Sequence, residues 1–273
     1  MDGTLREIND FYSEIVCEKN LSVNDGKFGK MSVWKHQTTQ KLFLMKQISL
    51  KDFTAIEPMV HQLMKNNSFF VKIFYSFTTL KSHILIMDYI KGGDLFDLRR
   101  KHSKIPEEET KLIIGQLTEA LMCLHKHRII HNDVKLENVL YVRHKQIYLC
   151  DYGLCQIMGT PSCYEGTIDY FSPEKIKRKP YDDSFDWWAV GVIAYELLSG
   201  RHPFQTYYSD QDDYEFDLSV EDLHSKQLMK LNRILTASRS ANHFIEQLLK
   251  YNINYRLKSG PEILKHDFFN KIQ

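Results

Sequence analysis

Apolar periodicity changes once along this chain, and that change restricts the fold more than any other feature. Between residues 21 and 90 the apolar runs have strand length, at residues 31–36, 41–48, 70–78 and 83–89. One helical interruption is expected over residues 55–65, where Ile56, Met59, Val60, Leu63 and Met64 recur at helical spacing. Lys91-Gly92-Gly93-Asp94 then punctuates the chain, its paired glycines suited to a hinge. Beyond it the pattern turns helical. Pro106 followed by Glu107, Glu108 and Glu109 makes a helix start, and Leu112, Ile113, Leu117, Ala120, Leu121 and Leu124 continue one face. Short strands are expected at 139–142 and 146–150, and helix again from Asp186, ending with residues 261–269. The expected class is α+β: a small antiparallel-sheet lobe with one helix (about 1–88), a hinge (about 88–93) and a larger, mainly helical lobe (about 94–273). Together these make one domain over residues 1–273.

Composition excludes several classes. The 273 residues are 43% hydrophobic and 26% charged, as in ordinary soluble domains. A net charge of +1 gives no global pull toward nucleic acid or anionic membrane, so neither is an expected partner. Residues 1–7 lack the basic start and apolar run of a signal peptide, and the best apolar stretch, 187–195, is too short to span a bilayer. Five cysteines, odd in number and without a CxxC pair, suit a reducing compartment, so an intracellular, soluble protein is expected. His125, His127 and His131 have no cysteine or carboxylate at ligand spacing and read as structural.

The chemistry concentrates in His131-Asn132-Asp133-Val134-Lys135-Leu136-Glu137-Asn138, followed by Asp151-Tyr152-Gly153. Phosphoryl transfer from a nucleotide needs a group to meet the accepting hydroxyl, a cation beside the moving phosphoryl, and oxygen ligands for a divalent metal. Asp133, Lys135, Asn138 and Asp151 are residues of those types in a workable order. Upstream, residues 24–31 lie between two expected strands and contain Gly26 and Gly29. Glycines there let backbone N–H groups approach phosphates, and equally make a plain hairpin. Lys46 lies on the next strand; alone, it also reads as a solvated strand lysine. Chance does not produce all of these in this order.

On these motifs the chain resembles eukaryotic-type Ser/Thr protein kinases, nearest the cyclic-nucleotide-dependent branch, from about residue 23 to the carboxyl end. The resemblance implies the bilobal protein-kinase fold, ATP, and Mg2+ or Mn2+. It implies Asp133 as the catalytic Asp, Lys135 as the phosphoryl-contacting lysine, Lys46 on the α- and β-phosphates with Glu57 as its partner, and Thr167 bonding near Asp133 and Lys135. Asn138 and Asp151 become the metal ligands. Gly26, Phe28 and Gly29 become the phosphate loop; Val23, Met31, Leu44, Met87, Tyr89 and Leu140 enclose the adenine, with hinge bonds from the backbone of Asp88 and Ile90. Simple core packing would account for those apolar positions equally well. Arg256 becomes the partner of Glu174 in Ser172-Pro173-Glu174. Lys135 with Thr167 implies Ser/Thr rather than Tyr specificity.

Asp94 and Glu137 belong both to the implied nucleotide site and, with Glu196, to an acidic set that kinases of basic substrates turn toward arginines. A basic protein substrate is the expected partner. Residues 207–222 hold seven acids and no Lys or Arg; a solvated loop and a docking surface for basic partners are both open readings. Basic runs at 99–101 and 175–179 read as solvated surface. Four departures stand out. Asn24 replaces the first loop glycine, Leu44 the small residue over the adenine, Pro58 follows Glu57, and Asn132 replaces the Arg that usually binds an activation-segment phosphate. Cys163 stands at the matching phosphosite, so activity without activation-segment phosphorylation is expected. The size and Asn132 also resemble baculovirus late protein kinases, which implies action on the virus's arginine-rich DNA-packaging protein in the host nucleus and nucleocapsid. The alternative is a pseudokinase or ATP-binding interaction scaffold, against which the complete set of phosphoryl-transfer residues weighs.

Overall fold

The computed structural model describes residues 2–21, 29–205 and 219–270, and the chain divides into two compact units, Met1–Lys91 and Gly92–Gln273. In the first unit, helix α1 (Asp2–Glu14) precedes strands β1 (Ile15–Cys17), β2 (Gly29–His36) and β3 (Leu42–Ser49), helix α2 (Ile56–Leu63), and strands β4 (Ile73–Thr78) and β5 (Ser82–Asp88). The strands form an antiparallel sheet in the order β1-β2-β3-β5-β4.

Register assigns the two faces of this sheet. Directly paired residues share a face, and faces alternate along a strand. Met31 lies opposite Lys46, Val33 opposite Leu44, and on the other side Lys46 opposite Leu85 and Leu44 opposite Met87. These six residues therefore line one face. Phe43, Met45, Ile84 and Ile86 line the other, where they form a buried cluster with Ile15, and Phe11 and Tyr12 of α1 pack onto it.

The expectation of one helix in the small lobe is corrected here, because α1 is a second. Its sequence is mostly polar, yet Leu5, Ile8, Phe11 and Tyr12 recur at helical spacing, the signal by which this helix is legible ahead of the strand-length runs. The Phe11 ring meets Phe43 edge-on at 5.1 Å and Tyr75 at 4.9 Å, while the Tyr12 hydroxyl lies 3.7 Å from the Met45 sulfur. Aromatic pairs of this kind add roughly 0.5–1.5 kcal/mol beyond the area they bury.

The second unit runs α3 (Leu95–His102), α4 (Glu107–Lys126), β6 (Ile129–Ile130), β7 (Val139–Val142), β8 (Gln146–Leu149), β9 (Gln156–Ile157), α5 (Pro173–Ile176), α6 (Ser184–Ser199), α7 (Val220–Gln227), α8 (Arg239–Leu248) and α9 (Gly260–Leu264). Helix α6 is the centre: every residue from Ser184 to Leu198 is buried, and α4 and α8 pack against it. It stops at Gly200, whose φ of 77° is the left-handed cap that glycine adopts without a Cβ penalty. The helical ending expected over 261–269 is broken: α9 closes at Leu264 and a separate 3-10 turn spans Asp267–Phe269. His266 caps that turn with its ring, accepting from the Phe268 N–H at 3.0 Å, and so supplies the interruption.

Replacing Phe11 by Ala leaves Tyr12 against Phe77 and removes the Phe11 ring's contacts with Phe43, Tyr75 and His36. Because the ring is only partly buried, the expected loss is about 2 kcal/mol, below the range for a fully buried Phe. Urea unfolding measures it, and a change under about 0.5 kcal/mol would mean that α1 does not stabilise the sheet.

Candidate active site

The loop from His131 to Asn138 connects β6 to β7, and its shape is set from below. Asp186, in the first turn of α6 and 1% exposed, accepts the backbone N–H of His131 at 2.8 Å and that of Asn132 at 2.9 Å, and binds His125 Nε2 at 2.8 Å. Burial alone would raise the Asp186 carboxyl. The His125 bond and the nearby imidazole charges outweigh it and hold the group below its ordinary value. Asn132 takes φ 67°, a left-handed conformation that Asn tolerates better than most residues. The His131 ring reaches the Cys150 carbonyl at 2.9 Å, just before Asp151, which is also left-handed at φ 59°.

On this loop four side chains converge. Asp133 Oδ1 accepts from both the backbone N–H and the hydroxyl of Thr167, each at 2.9 Å. Lys135 Nζ donates to the same Thr167 hydroxyl at 3.0 Å and lies 3.6 Å from Asp133 Oδ2. Asn138 Nδ2 donates to the Asp133 carbonyl at 2.7 Å and to its Oδ2 at 3.1 Å. The amide is thereby turned with its nitrogen on Asp133, and its carbonyl oxygen is the atom left for a hard cation. With the carboxylate of Asp151 it would make an all-oxygen donor set, and such a set fits Mg2+ or Mn2+.

In the first unit, Lys46 Nζ and Glu57 Oε1 form an ion pair at 2.7 Å, with both side chains 4% exposed. Glu57 sits in the first turn of α2, where Pro58 is compatible with the helix and a carboxylate is favoured by the dipole. Met31, Leu44 and Met87 share the sheet face of Lys46, and the large Leu44 side chain occupies the position expected to lie over a base. The Asp88 N–H donates to the Lys72 carbonyl at 2.9 Å, and Tyr89 and Ile90 are half-buried. Val23, Gly26 and Phe28 lie outside the described residues, as does Asn24; Gly29 opens β2.

The acidic set is not uniform. Asp94 caps α3, its Oδ1 accepting from the Asp97 N–H at 2.8 Å, and it bridges to half-buried Leu140. Glu137 is exposed. Glu196 is buried, accepts from the Tyr170 hydroxyl and lies 3.4 Å from Arg99. Arg99 and Lys175 correct the reading of both basic runs as solvated surface. Arg99 is held against Glu196, and Lys175 is 2% exposed. Composition treats every lysine in a run alike; no local signal separates the one that turns inward. The Glu174–Arg256 pair is present and bidentate, at 2.8 and 3.0 Å, with the guanidinium 4.8 Å from the Trp188 ring centroid.

Removing the Thr167 hydroxyl while keeping its shape tests the convergence. Thr167→Val is expected to lower kcat by at least about tenfold with little change in KM for ATP, and Thr167→Ser to retain most of the rate. Steady-state kinetics decides, and equal rates for the Val variant and the parent would exclude a part for this hydroxyl.

Comparison with known proteins agrees with this geometry. A family model described as Protein kinase domain matches residues 18–269. "Serine/threonine-protein kinase 1" of Heliothis zea nuclear polyhedrosis virus is 55% identical over 269 residues, covering 98% of this chain and 99% of the relative. The protein of the same name from Lymantria dispar multicapsid nuclear polyhedrosis virus is 49% identical over 276 residues, covering 100% and 98%. Among solved structures, that titled "Structure of the Cydia pomonella Granulovirus kinase, PK-1" superposes with a TM-score of 0.87 at 39% identity, covering 99% of this chain and all of that one. Among the described residues no helix is long and apolar enough to cross a membrane. The chain belongs to the protein kinase domain family, as a serine/threonine-protein kinase of the baculovirus type.

Proposed function

We propose that this kinase transfers the γ-phosphoryl of ATP to Ser or Thr in arginine-rich proteins, and that it does so without activation-segment phosphorylation. The observation that carries the reading is the hydrogen-bonded chain Lys135 Nζ, Thr167 Oγ1, Asp133 Oδ1, with Asn138 against the other carboxylate oxygen. Asp133 is thus held by donors on both oxygens, oriented to meet an accepting hydroxyl and take its proton late in transfer. Lys135 and Lys46 offset negative charge, and Glu57 fixes Lys46 in one place. Asn138 and Asp151 would hold a divalent metal, Mg2+ or Mn2+, whose chemistry there would be charge neutralisation at the phosphates.

Two groups of residues support the finer claims. Asn132 carries no charge to meet a phosphate, and its side chain is already engaged, donating to the Leu154 carbonyl at 3.0 Å and accepting from Lys175 at 2.6 Å. Cys163, at the position where a phosphosite is expected, lies with its sulfur 3.2 Å from the Tyr181 hydroxyl. For the substrate, desolvation holds the half-buried Asp94 carboxyl above its ordinary value, and exposed Glu137 is a like-charged neighbour of it. A guanidinium beside them would relieve that cost. Glu196 would have to share its charge between a substrate arginine and Arg99. The arginine-rich DNA-packaging protein of the virus, in the host nucleus and nucleocapsid, is the substrate that fits this preference.

Transfer of labelled phosphoryl from ATP to a basic protein is expected, and Asp133→Asn should reduce it at least about 100-fold while ATP binding persists. Near-parent turnover in that variant would remove Asp133 from the mechanism. Phosphatase treatment should leave activity unchanged; a loss traced to Ser162 or Thr160 would sink the phosphorylation-independent reading. A peptide library should show enrichment of Arg or Lys beside the acceptor, and a flat profile would refute the basic preference.

A further inference from the structure

Lys175 follows Glu174 in α5, yet its ammonium is not at the surface. It donates to three oxygens: the Glu165 carbonyl at 2.5 Å, the Asn132 side-chain oxygen at 2.6 Å and the Asn132 carbonyl at 3.2 Å. An ammonium has three protons, so each has an acceptor. The Phe171 ring centroid lies 4.3 Å from the nitrogen. The placement of these acceptors is informative. Asn132 is the residue before Asp133, and Glu165 is two before Thr167, so the lysine ties both ends of the segment pair whose meeting is the Thr167–Asp133 bonds. Gly166 lies between, at φ 107°, and a Cβ there would stand 3.0 Å from the Asn132 carbonyl oxygen and 3.4 Å from Lys175 Nζ. Side-chain bulk at that point would force the two segments apart.

We propose that Lys175 is a positioning residue for phosphoryl transfer: its ammonium clasps the activation segment at Glu165 to the catalytic loop at Asn132, doing with an internal cation what a phosphate on this segment would otherwise do. The proposal rests on the phosphorylation-independent reading above and names the device behind it. Asn132 then has a positive reason to be Asn. Its uncharged oxygen accepts from the lysine, where an arginine would repel it. The charged groups facing Lys175 are Asp133 on the catalytic loop, Asp186 on α6, and Cys163 and Glu165 on the activation segment. Burial outweighs their attraction and brings the lysine from its ordinary value down to about 8. A neutral amine has two protons for three oxygens, so the clasp weakens as pH rises through that value. Stability moves the other way. The folded value lies below that of the unfolded chain, about 10.4, so the folded state gives up its proton first. Between the two values this group therefore makes the fold more stable as pH rises. Rate and stability should part company on the alkaline side.

The test compares the full chain and its Lys175→Met variant, each with and without phosphatase treatment, by steady-state kinetics from pH 6 to 9.5 and by thermal unfolding. Met fills the space without the charge; it ends the cost of burying an ammonium and leaves three oxygens without their donor, two effects of opposite sign on stability. The expected result is a kcat at least about tenfold lower, KM for ATP within about twofold, a single cooperative unfolding transition that shows the variant is folded at the assay temperature, and loss of the parent's fall in kcat near pH 8. Parent-like kcat and pH profile in Lys175→Met would overturn the proposal. A loss on phosphatase treatment of the parent would instead overturn the reading beneath it. Asn132→Gly provides the second arm, since it keeps the left-handed backbone and removes one acceptor. There the alkaline fall in kcat should move to lower pH, and an unmoved profile counts against the clasp even if Lys175→Met does not fold.

Discussion

The Asp186 carboxylate is the constraint on which the site depends. It is fully enclosed at the start of a helix that is buried along almost its whole length, and it is bound to two successive backbone N–H groups of the catalytic loop. A buried carboxylate is costly unless its oxygens are occupied, and here the loop's own amides occupy them. The loop is therefore anchored at the backbone. Side chains can change on it, as Asn132 shows, without releasing the loop from α6.

The small unit solves a different problem. Its sheet must leave one face for Lys46 and its neighbours and still bury the other. The Phe43, Met45, Ile84 and Ile86 face is covered by the chain's own first helix through Phe11 and Tyr12. On the functional face the charged pair Lys46–Glu57 survives burial because each member neutralises the other at 2.7 Å. Losing either partner would leave a buried charge with less to offset it, at a cost in stability.

Much of this was readable from the sequence, for identifiable reasons. Strands β2 to β5, β7 and β8 and the helices α2 and α4 follow from apolar periodicity, and Asp133, Lys135, Asn138 and Asp151 stand at spacings that few sequences satisfy by accident. The long-range pairs Lys46–Glu57 and Glu174–Arg256 were nameable only through the resemblance to protein kinases, since nothing in the local sequence of either residue points to its distant partner. What could not be read is equally instructive. Helix α1 shows helical spacing at Leu5, Ile8, Phe11 and Tyr12, but the surface it docks on is set by tertiary contact with the sheet, which no local pattern names. Lys175 sits in a run of basic residues that looks like solvated surface, and only the fold turns one of them inward. Likewise Glu196 reads in the sequence as one of a set of free acids, and its pairing with Arg99 is visible only in three dimensions.

The three oxygens around Lys175 come from two backbone carbonyls and one amide, and none of them carries a full charge. They form a small polar cage whose shape suits a tetrahedral donor. A guanidinium is flat, with its donors spread across a plane, and cannot point three of them at one such cluster from a single nitrogen. The cage thus discriminates between two side chains of equal charge. Arginine, the replacement most often considered harmless for lysine, is the one this position is shaped to refuse.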